Sequence, residues 1–385
     1  MIYNFDQILN RRITDSVKWR AFDEDVLPLW VADMDFVSPQ PVINALQERI
    51  KHGVFGYAID LPELKQAVLD WLVERYGWKV TPEDVLFVPG VVTGFNLASH
   101  ALAQPNGTVL VQTPVYPPML YAAKHAGMLC QEQELTQDAD GSYIFDVDAF
   151  DAVINEETRM FLLCNPHNPT GRVFKRTELE QMAQTCLRRG VVLCSDEIHC
   201  DLVFSEHKHI PIAALDAEIA QNTITLMAPS KTFNIAGLDF SVAIIQNPTL
   251  RQQYEKARRG VVGSPNLLGR IAALAAYREG GEWLAQVMAY MQKNRDFVFD
   301  FVHDNLPQIK MARPEGTYLA WLDCRPLKVE DSPAQFFQKE ARVALNDGAH
   351  FGKGGDGFVR LNFGCPWATL EGALNRMKQA IENQK

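Results

Sequence analysis

A lysine and an aspartate, each following an apolar run, are the two residues best placed to do chemistry together. Lys231 lies in a Ser-Lys-Thr-Phe sequence beyond a strand-like run at residues 223–227 (TITLM), and Asp196 follows the apolar residues 191–194. A lysine whose surroundings deprotonate its amine can form a Schiff base. A buried carboxylate needs a cationic partner, which a protonated pyridinium nitrogen would provide. Taken singly, a surface lysine and a structural ion pair remain the alternatives.

Two turns have the composition to complete such a site. Residues 165–171 read Asn-Pro-His-Asn-Pro-Thr-Gly, a rigid turn from which Asn168 can aim its amide at a ligand. Residues 89–94 read Pro-Gly-Val-Val-Thr-Gly. Gly90 lets the backbone approach a ligand closely, and the helix that follows would offer free N–H groups to a phosphate. Each turn alone is also compatible with an ordinary strand-to-helix connection.

These motifs follow short apolar segments that alternate with helical patterns. Strands are predicted at residues 85–88, 109–111, 160–164, 191–194, 223–227 and 241–245, and helices at 96–102, beyond 118 and at 178–188. Strands that are apolar on both faces and alternate with helices predict a mostly parallel α/β sheet. Ligands of such sheets bind at the carboxyl ends of the strands, where all four motifs lie.

The pattern changes after about residue 246. Helices are predicted at residues 248–259, 266–279 and 281–303, strands at 317–322 and 357–363, and a closing helix at 368–383. A length of 385 residues also favours two domains. We predict a large α/β domain of residues 46–284 and a smaller α+β domain of residues 1–45 and 285–385, with the helix near 281–303 between them.

Composition excludes several classes of function. The net charge of −10 disfavours nucleic acids and anionic membranes as partners. The seven cysteines include no CxxC pair and lie mostly in apolar runs, which indicates reduced core residues rather than disulfides or a metal site. The N-terminus lacks the pattern of a signal peptide, and no apolar run approaches the roughly 20 residues that span a bilayer. We expect a cytoplasmic protein.

The four motifs in this order, followed by an arginine, resemble the fold-type I pyridoxal 5′-phosphate (PLP) enzymes, the aspartate aminotransferase superfamily of class I/II, over essentially the whole chain. Residues 29–36 (LWVADMDF), 53–57 (GVFGY), 196–199 (DEIH) and 357–366 (GFVRLNFGCP) resemble the MalY/PatB group more closely. Its members are cystathionine β-lyases and related carbon–sulfur lyases. The resemblance implies a PLP cofactor, a homodimer, and a seven-stranded sheet flanked by helices in the large domain.

The resemblance also implies a role for each matched residue. Lys231 would hold PLP and move the Cα proton, Asp196 would pair with the ring nitrogen N1, and Arg360 would bind the substrate carboxylate through two parallel hydrogen bonds. The other implied cofactor contacts are Asn168 at O3′, Tyr116 stacked on the ring, the N–H groups of Val91 and Val92 at the phosphate, and Tyr57 at the phosphate of the neighbouring subunit. His199 and Ser230 are further implied cofactor contacts, without a specified group.

Three residues depart from the aminotransferase pattern. His199 stands where a tyrosine is common, a departure that the lyase group shares. Ala228 replaces a serine and Asp239 an arginine that often bind the phosphate, so the set of phosphate ligands is incomplete.

The resemblance favours a carbon–sulfur β-lyase that cleaves cystathionine or a related cysteine S-conjugate to pyruvate, ammonia and a thiol. The same residues also suit a class I/II aminotransferase, because both reactions begin with removal of the Cα proton. A third hypothesis is a PLP-binding regulatory protein without catalysis.

Overall fold

The computed structural model describes residues 1–138 and 140–384. Its strands are β1 (Leu27–Pro28), β2 (Val85–Val88), β3 (Thr108–Thr113), β4 (Leu129–Glu134), β5 (Thr136–Gln137), β6 (Tyr143–Ile144), β7 (Thr158–Cys164), β8 (Val192–Asp196), β9 (Thr223–Met227), β10 (Ser241–Ile244), β11 (Leu319–Asp323), β12 (Val343–Ala344), β13 (Asn346–Asp347) and β14 (Phe358–Asn362).

The α-helices begin and end as follows: α1 (Val17–Arg20), α2 (Gln40–Lys51), α3 (Pro62–Tyr76), α4 (Val91–Ala101), α5 (Pro117–His125), α6 (Val147–Val153), α7 (Arg176–Arg189), α8 (Ala217–Gln221), α9 (Pro229–Thr232), α10 (Pro248–Arg258), α11 (Leu267–Glu279), α12 (Gly281–Asn305), α13 (Pro333–Phe336) and α14 (Trp367–Glu382).

A seven-stranded sheet in the order β2-β10-β9-β8-β7-β3-β4 forms the centre of the molecule. The strands from β9 to β4 are parallel to one another, and β10 is antiparallel to both of its neighbours. Helices pack on both faces, α4 and α5 on one and α7 on the other. The fold class predicted from the alternation of strands and helices is therefore confirmed.

The composition of the strands explains their places in the sheet. Every residue of β3 is buried, as expected for a strand covered on both faces. The edge strand β4 has the sequence LCQEQE and is only partly buried, and the hydrophobic pattern did not predict it. The long helices α2 and α3 were not predicted either.

The register of the sheet brings the sequence motifs to one edge. Cys164 at the end of β7 pairs with Asp196 at the end of β8, and Asp196 pairs with Leu226 near the end of β9. Because β10 is antiparallel to both β2 and β9, β2 runs parallel to β9, and the turn after β2 reaches the same edge. One end of the sheet is thus surrounded by the two turns, by Asp196, and by helix α9, which carries Lys231.

The N-terminal segment is bound to elements from the far end of the chain. Strand β1 pairs in parallel with β12, and β11, β14 and β13 form a small antiparallel sheet. The side-chain amide of Asn362 on β14 donates to the carbonyl oxygens of Val31 and Asp33, both at 2.7 Å. Asn234, just after α9, donates to the carbonyls of Met34 and Phe36. The proposed boundaries of the two domains remain a prediction.

Two observations concern membranes and metal ions. Across the described ranges, no helix is both long and apolar enough to cross a membrane. The same residues include no group of three or more histidine, cysteine or acidic side chains placed to hold a metal ion.

A buried ion pair anchors the N-terminal segment. The Lys18 side chain is fully buried, and its Nζ lies 2.8 Å from Oδ2 of Asp35, which also accepts hydrogen bonds from Arg11 and Trp19. Burial alone would raise the pKa of Asp35, but Lys18, Trp19 and Arg11 together hold that pKa below its usual value. At a pH above the usual carboxyl pKa, the pair therefore stabilises the folded protein. This stabilisation is lost as the pH falls through the lowered pKa of Asp35 in the folded protein.

We expect Lys18→Met to lower the free energy of unfolding by about 3–5 kcal/mol, because it leaves Asp35 buried with one fewer charged partner. Urea unfolding at pH 7 measures the loss. Lys51→Met is the control: Lys51 forms a pair with Glu48 in which both side chains are more than two-thirds exposed, and it should change stability by about 0.5 kcal/mol or less. Equal losses in the two variants would contradict the anchoring role.

Candidate active site

A cavity of about 340 Å³ opens at the carboxyl edge of the large sheet. Of the residues predicted for the site, all except Tyr57 line it: Val91, Val92, Tyr116, Asn168, Asp196, His199, Ser230, Lys231 and Arg360. The cavity also includes residues that sequence reasoning did not assign, among them Ala32 and Cys164. The predicted constellation is thus assembled in one place, although the role of each residue remains a proposal.

One wall of the cavity is the N-terminus of α4. Gly90 precedes the helix with φ +93°, a backbone conformation that glycine adopts at little cost. Among the described side chains none caps the first turn, so the N–H groups of Val91 and Val92 stay available to an anion. Ser230 lies on the same cavity, and Asp239, with φ +48°, also reaches it. Ala228, by contrast, is buried outside the cavity lining.

Asp196 is a buried carboxylate with few compensating contacts. It is 3% exposed, and its Oδ1 accepts a hydrogen bond of 3.1 Å from the N–H of Ile198. Burial, with the neighbouring charge of Glu197, raises the pKa of Asp196 to about 7, although Lys231 opposes the shift. No lysine or arginine of the described chain forms an ion pair with it. A ligand carrying a protonated ring nitrogen would supply the missing partner, so this carboxylate fits PLP.

Lys231 presents its amine to the same cavity from α9. Its Nζ donates to the carbonyl oxygen of Ala32 at 2.6 Å. Burial, helped by the charge of Arg360 and partly offset by Asp33 and Asp196, lowers the pKa of Lys231 to about 8. An amine with such a pKa is partly deprotonated near neutral pH, as a nucleophile or a base requires.

Arg360 on β14 is buried and held from two sides. Its Nη1 donates to Oδ1 of Asn168 at 2.8 Å, and its Nη2 donates to the carbonyl of Trp30 at 2.9 Å and to the side chain of Asn346. Its buried Nε has no partner among the described residues. Burial lowers the pKa of Arg360 to about 10, so the group stays charged at neutral pH and can receive a carboxylate.

The turn that carries Asn168 is fixed to the strand ends. The N–H of Asn168 donates to Sγ of Cys164 at 3.4 Å, and the N–H of Asn165 donates to the carbonyl of Asp196 at 3.0 Å. Because the Oδ1 of Asn168 accepts from Arg360, its amide N–H groups remain available for a ligand.

His199 and Tyr116 complete the lining. The imidazole of His199 is buried, its Nδ1 has no partner within the described part of the chain, and its ring lies edge-on to Tyr318. Burial, together with the charges of Lys231 and Arg360, lowers the pKa of His199 to about 3, so the ring is neutral. Tyr116 is half-buried, and burial with the charge of Asp196 raises its pKa, which keeps the phenol protonated.

Tyr57 is the predicted site residue that the fold does not bring to the cavity. It is fully exposed, in a stretch from 51 to 60 in which every residue is exposed. The contacts of Tyr318 and Asn346 were not predicted. Tyr318 contacts Ala32, which is 286 residues away along the chain, and Asn346 contacts Arg360 through the pairing of β13 with β14.

Known proteins resemble this chain along its whole length. The family described as aminotransferase class I and II matches residues 24–377. Cystathionine beta-lyase PatB of Bacillus subtilis is 41% identical over 98% of this chain and 100% of its own length. The crystal structure of cystalysin from Treponema denticola, which contains pyridoxal 5′-phosphate, has a TM-score of 0.96 and 35% identity and covers 100% of both chains. The PLP-bound C–S lyase from Staphylococcus hominis has a TM-score of 0.93 and 34% identity, with coverage of 98% of this chain and 99% of its own.

The resemblance that the motifs indicated is thereby confirmed. The family match includes the strand ends, the lysine helix and β14, and so takes in every element that contributes to the cavity. The chain belongs to the class I and II aminotransferase family.

Proposed function

We propose that the protein is a PLP-dependent carbon–sulfur lyase that cleaves cystathionine or a related cysteine S-conjugate to pyruvate, ammonia and a thiol. The observation that carries the use of PLP is the buried Asp196, which forms no ion pair with a lysine or arginine of the described residues and lies in one cavity with Lys231 and Arg360. The choice of β-elimination rests on the full-length similarity to cystathionine beta-lyase PatB and to C–S lyases of known structure.

The residues at the rim and floor of the cavity would hold the cofactor. The N–H groups of Val91 and Val92, with Ser230, would bind the phosphate, and Asp196 would keep a proton on the ring nitrogen. Asn168 would donate to the ring oxygen, Tyr116 would stack on the ring, and His199 would be a further contact. When bound, PLP supplies an electron sink for the charge that develops at the substrate Cα.

The chain itself orients the substrate and moves its proton. Arg360 binds the α-carboxylate, which fixes the direction of the Cα–H bond. The free amine of Lys231 takes the proton from Cα. The electron pair of that C–H bond forms a Cα–Cβ double bond as the C–S bond breaks and the thiolate leaves with its electron pair. Water then releases pyruvate and ammonia.

Transamination is the second candidate, because the chain belongs to a family named for that reaction and the first proton transfer is the same. The two reactions separate afterwards, and a difference of about 1.4 kcal/mol between their barriers already gives a tenfold preference. The regulatory hypothesis is weaker, since a regulator would not need a lysine with a lowered pKa in one cavity with a buried arginine whose Nε has no partner among the described residues.

We further propose that the active form is a cytoplasmic homodimer. The stretch from 51 to 60 exposes Val54, Phe55, Tyr57 and Ile59, and a second copy of the chain would cover them. Arg270 holds this stretch in place by donating to the carbonyl of Ile59 at 2.9 Å. In this arrangement Tyr57 serves the cofactor phosphate of the partner. All seven cysteines are free, as suits a reducing compartment. The exclusion of nucleic acids and membranes as partners stays a prediction from the net charge.

A product assay on cystathionine tests the reaction. We expect the holoenzyme to release homocysteine, pyruvate and ammonia without any added 2-oxo acid, because elimination needs no amino-group acceptor. Lys231→Ala should abolish the release, whereas Lys339→Ala, at an exposed surface position outside the stretch from 51 to 60, should preserve it. Turnover that requires a 2-oxo acid and yields no thiol would identify an aminotransferase instead.

Replacing the carboxylate tests the electrostatic role of Asp196. We expect Asp196→Asn to lower kcat by about two to four powers of ten, since losing a buried charged partner costs about 3–5 kcal/mol. Asp323→Asn is the control, because Asp323 is also buried but pairs with Arg325 away from the cavity, and it should retain the wild-type rate. Near wild-type turnover in Asp196→Asn would show that the acid has been misassigned.

Subunit mixing tests the position of Tyr57. We expect Tyr57→Ala and Lys231→Ala each to impair the enzyme, and hybrid dimers of the two variants to regain activity. In a hybrid, one site combines the wild-type Lys231 of one chain with the wild-type Tyr57 of the other. Activity measured after co-expression checks this, and hybrids that stay inactive would place Tyr57 in its own subunit's site or outside both.

A further inference from the structure

One main-chain carbonyl in the cavity accepts two side-chain donors. The oxygen of Ala32 accepts a hydrogen bond from Nζ of Lys231 at 2.6 Å and another from the hydroxyl of Tyr318 at 2.9 Å. A carbonyl oxygen has two lone pairs, so these donors use its full capacity. The phenol and the amine are therefore linked through one shared acceptor.

The Tyr318 side chain is buried and held in a fixed position. It is 1% exposed, its carbonyl accepts the N–H of Phe363 at 2.9 Å, and its ring lies edge-on to His199 with centroids 5.8 Å apart. Burial raises the pKa of Tyr318, so the hydroxyl remains a donor at working pH. Among the described residues, the carbonyl oxygen of Ala32 is the one hydrogen-bond partner of this hydroxyl.

The peptide groups on either side of Ala32 are also fixed. Asn362 donates to the carbonyls of Val31 and Asp33 at 2.7 Å each. Because the peptide groups on both sides are held by hydrogen bonds, the carbonyl of Ala32 can rotate little. The hydroxyl of Tyr318 restricts it further by occupying one of its lone pairs. The other lone pair then points to a defined place for an amine.

We propose that Tyr318 is a positioning residue that, through the carbonyl oxygen of Ala32, sets where the free amine of Lys231 lies while it exchanges a proton with the substrate Cα. In that transfer the Cα–H bond breaks, an N–H bond forms, and the electron pair stays with the substrate. The amine becomes an ammonium, whose hydrogen bond to Ala32 strengthens because the donor is now charged. This inference rests on the proposed function of Lys231 as the base.

The aromatic ring and the hydroxyl of Tyr318 have separable tasks. The ring packs against His199, and phenylalanine would preserve that packing. The hydroxyl contributes the bond to Ala32. Tyr318→Phe therefore removes the proposed link while keeping the shape of the site. Tyr254→Phe is a matched control, since Tyr254 is also fully buried and its hydroxyl donates to a main-chain carbonyl, that of Gly94, at 3.1 Å.

The experiment follows exchange of the Cα proton of L-alanine with deuterium oxide in the PLP-loaded enzyme. Alanine has no leaving group at Cβ, so exchange reports proton transfer alone. We expect Tyr318→Phe to exchange about tenfold more slowly, a small part of the 10²–10⁴-fold that a positioned base contributes. The half-saturating alanine concentration and the cofactor absorption should stay unchanged. Tyr254→Phe should exchange at the wild-type rate.

A second readout does not need the cofactor. In the apoprotein, an acylating reagent followed by peptide mapping measures the reactivity of Lys231, which should be higher in Tyr318→Phe because the amine is less ordered. The proposal is overturned if Tyr318→Phe exchanges alanine like the wild type, or if exchange falls only in proportion to lost cofactor. If the wild-type enzyme exchanges the alanine proton but releases no thiol from cystathionine, the proposed lyase reaction is wrong. The comparison of exchange rates then still decides the role of Tyr318. A wild type without exchange would refute Lys231 as the base.

Discussion

Six main-chain carbonyl oxygens of the segment from Trp30 to Phe36 accept hydrogen bonds from side chains in buried or partly buried surroundings, as carbonyls shielded from water require. The donors are Arg360 for Trp30, Asn362 for Val31 and Asp33, Lys231 and Tyr318 for Ala32, and Asn234 for Met34 and Phe36. Two of these donors, Lys231 and Arg360, also line the cavity. This double use explains how one short segment joins the lysine helix, the arginine strand and the cavity wall.

The cavity concentrates groups whose charged forms are disfavoured. Burial pulls the pKa of Asp196 up to about 7 and the pKa of Lys231 down to about 8, so both lie near neutrality. A fold that served stability alone would pair such groups closely or replace them with apolar residues. Instead they stand apart around a space of about 340 Å³, an arrangement that a ligand with a cationic ring and an aldehyde would complete.

Local sequence signals predicted what depends on local physics. The strands β7 and β9 are apolar on both faces, and the turns after β2 and β7 contain glycine and proline, so the sheet and its motif-bearing edge were predictable. The polar edge strand β4 lacks the alternation that marks a half-buried strand, and it was missed. The link from Tyr318 to Ala32 joins residues 286 positions apart and depends on tertiary packing, which no window of sequence contains. The link from Asn346 to Arg360 depends on the pairing of β13 with β14, and β13 was not predicted. Tyr57 lies outside the cavity of its own chain, and its role stays a prediction.

The contacts that hold the N-terminal segment affect the order in which parts of the protein can fold during synthesis. Val31 and its donor Asn362 are 331 residues apart, and β1 pairs with β12 near the end of the chain. Chains leave the ribosome from the N-terminus, and their early parts begin to fold first. The large sheet, complete by residue 244, can assemble during synthesis, whereas the segment made earliest waits for partners made last. The cavity wall it forms therefore closes only on a finished polypeptide, and a chain cut short before β14 would carry the lysine without the pocket that makes it useful.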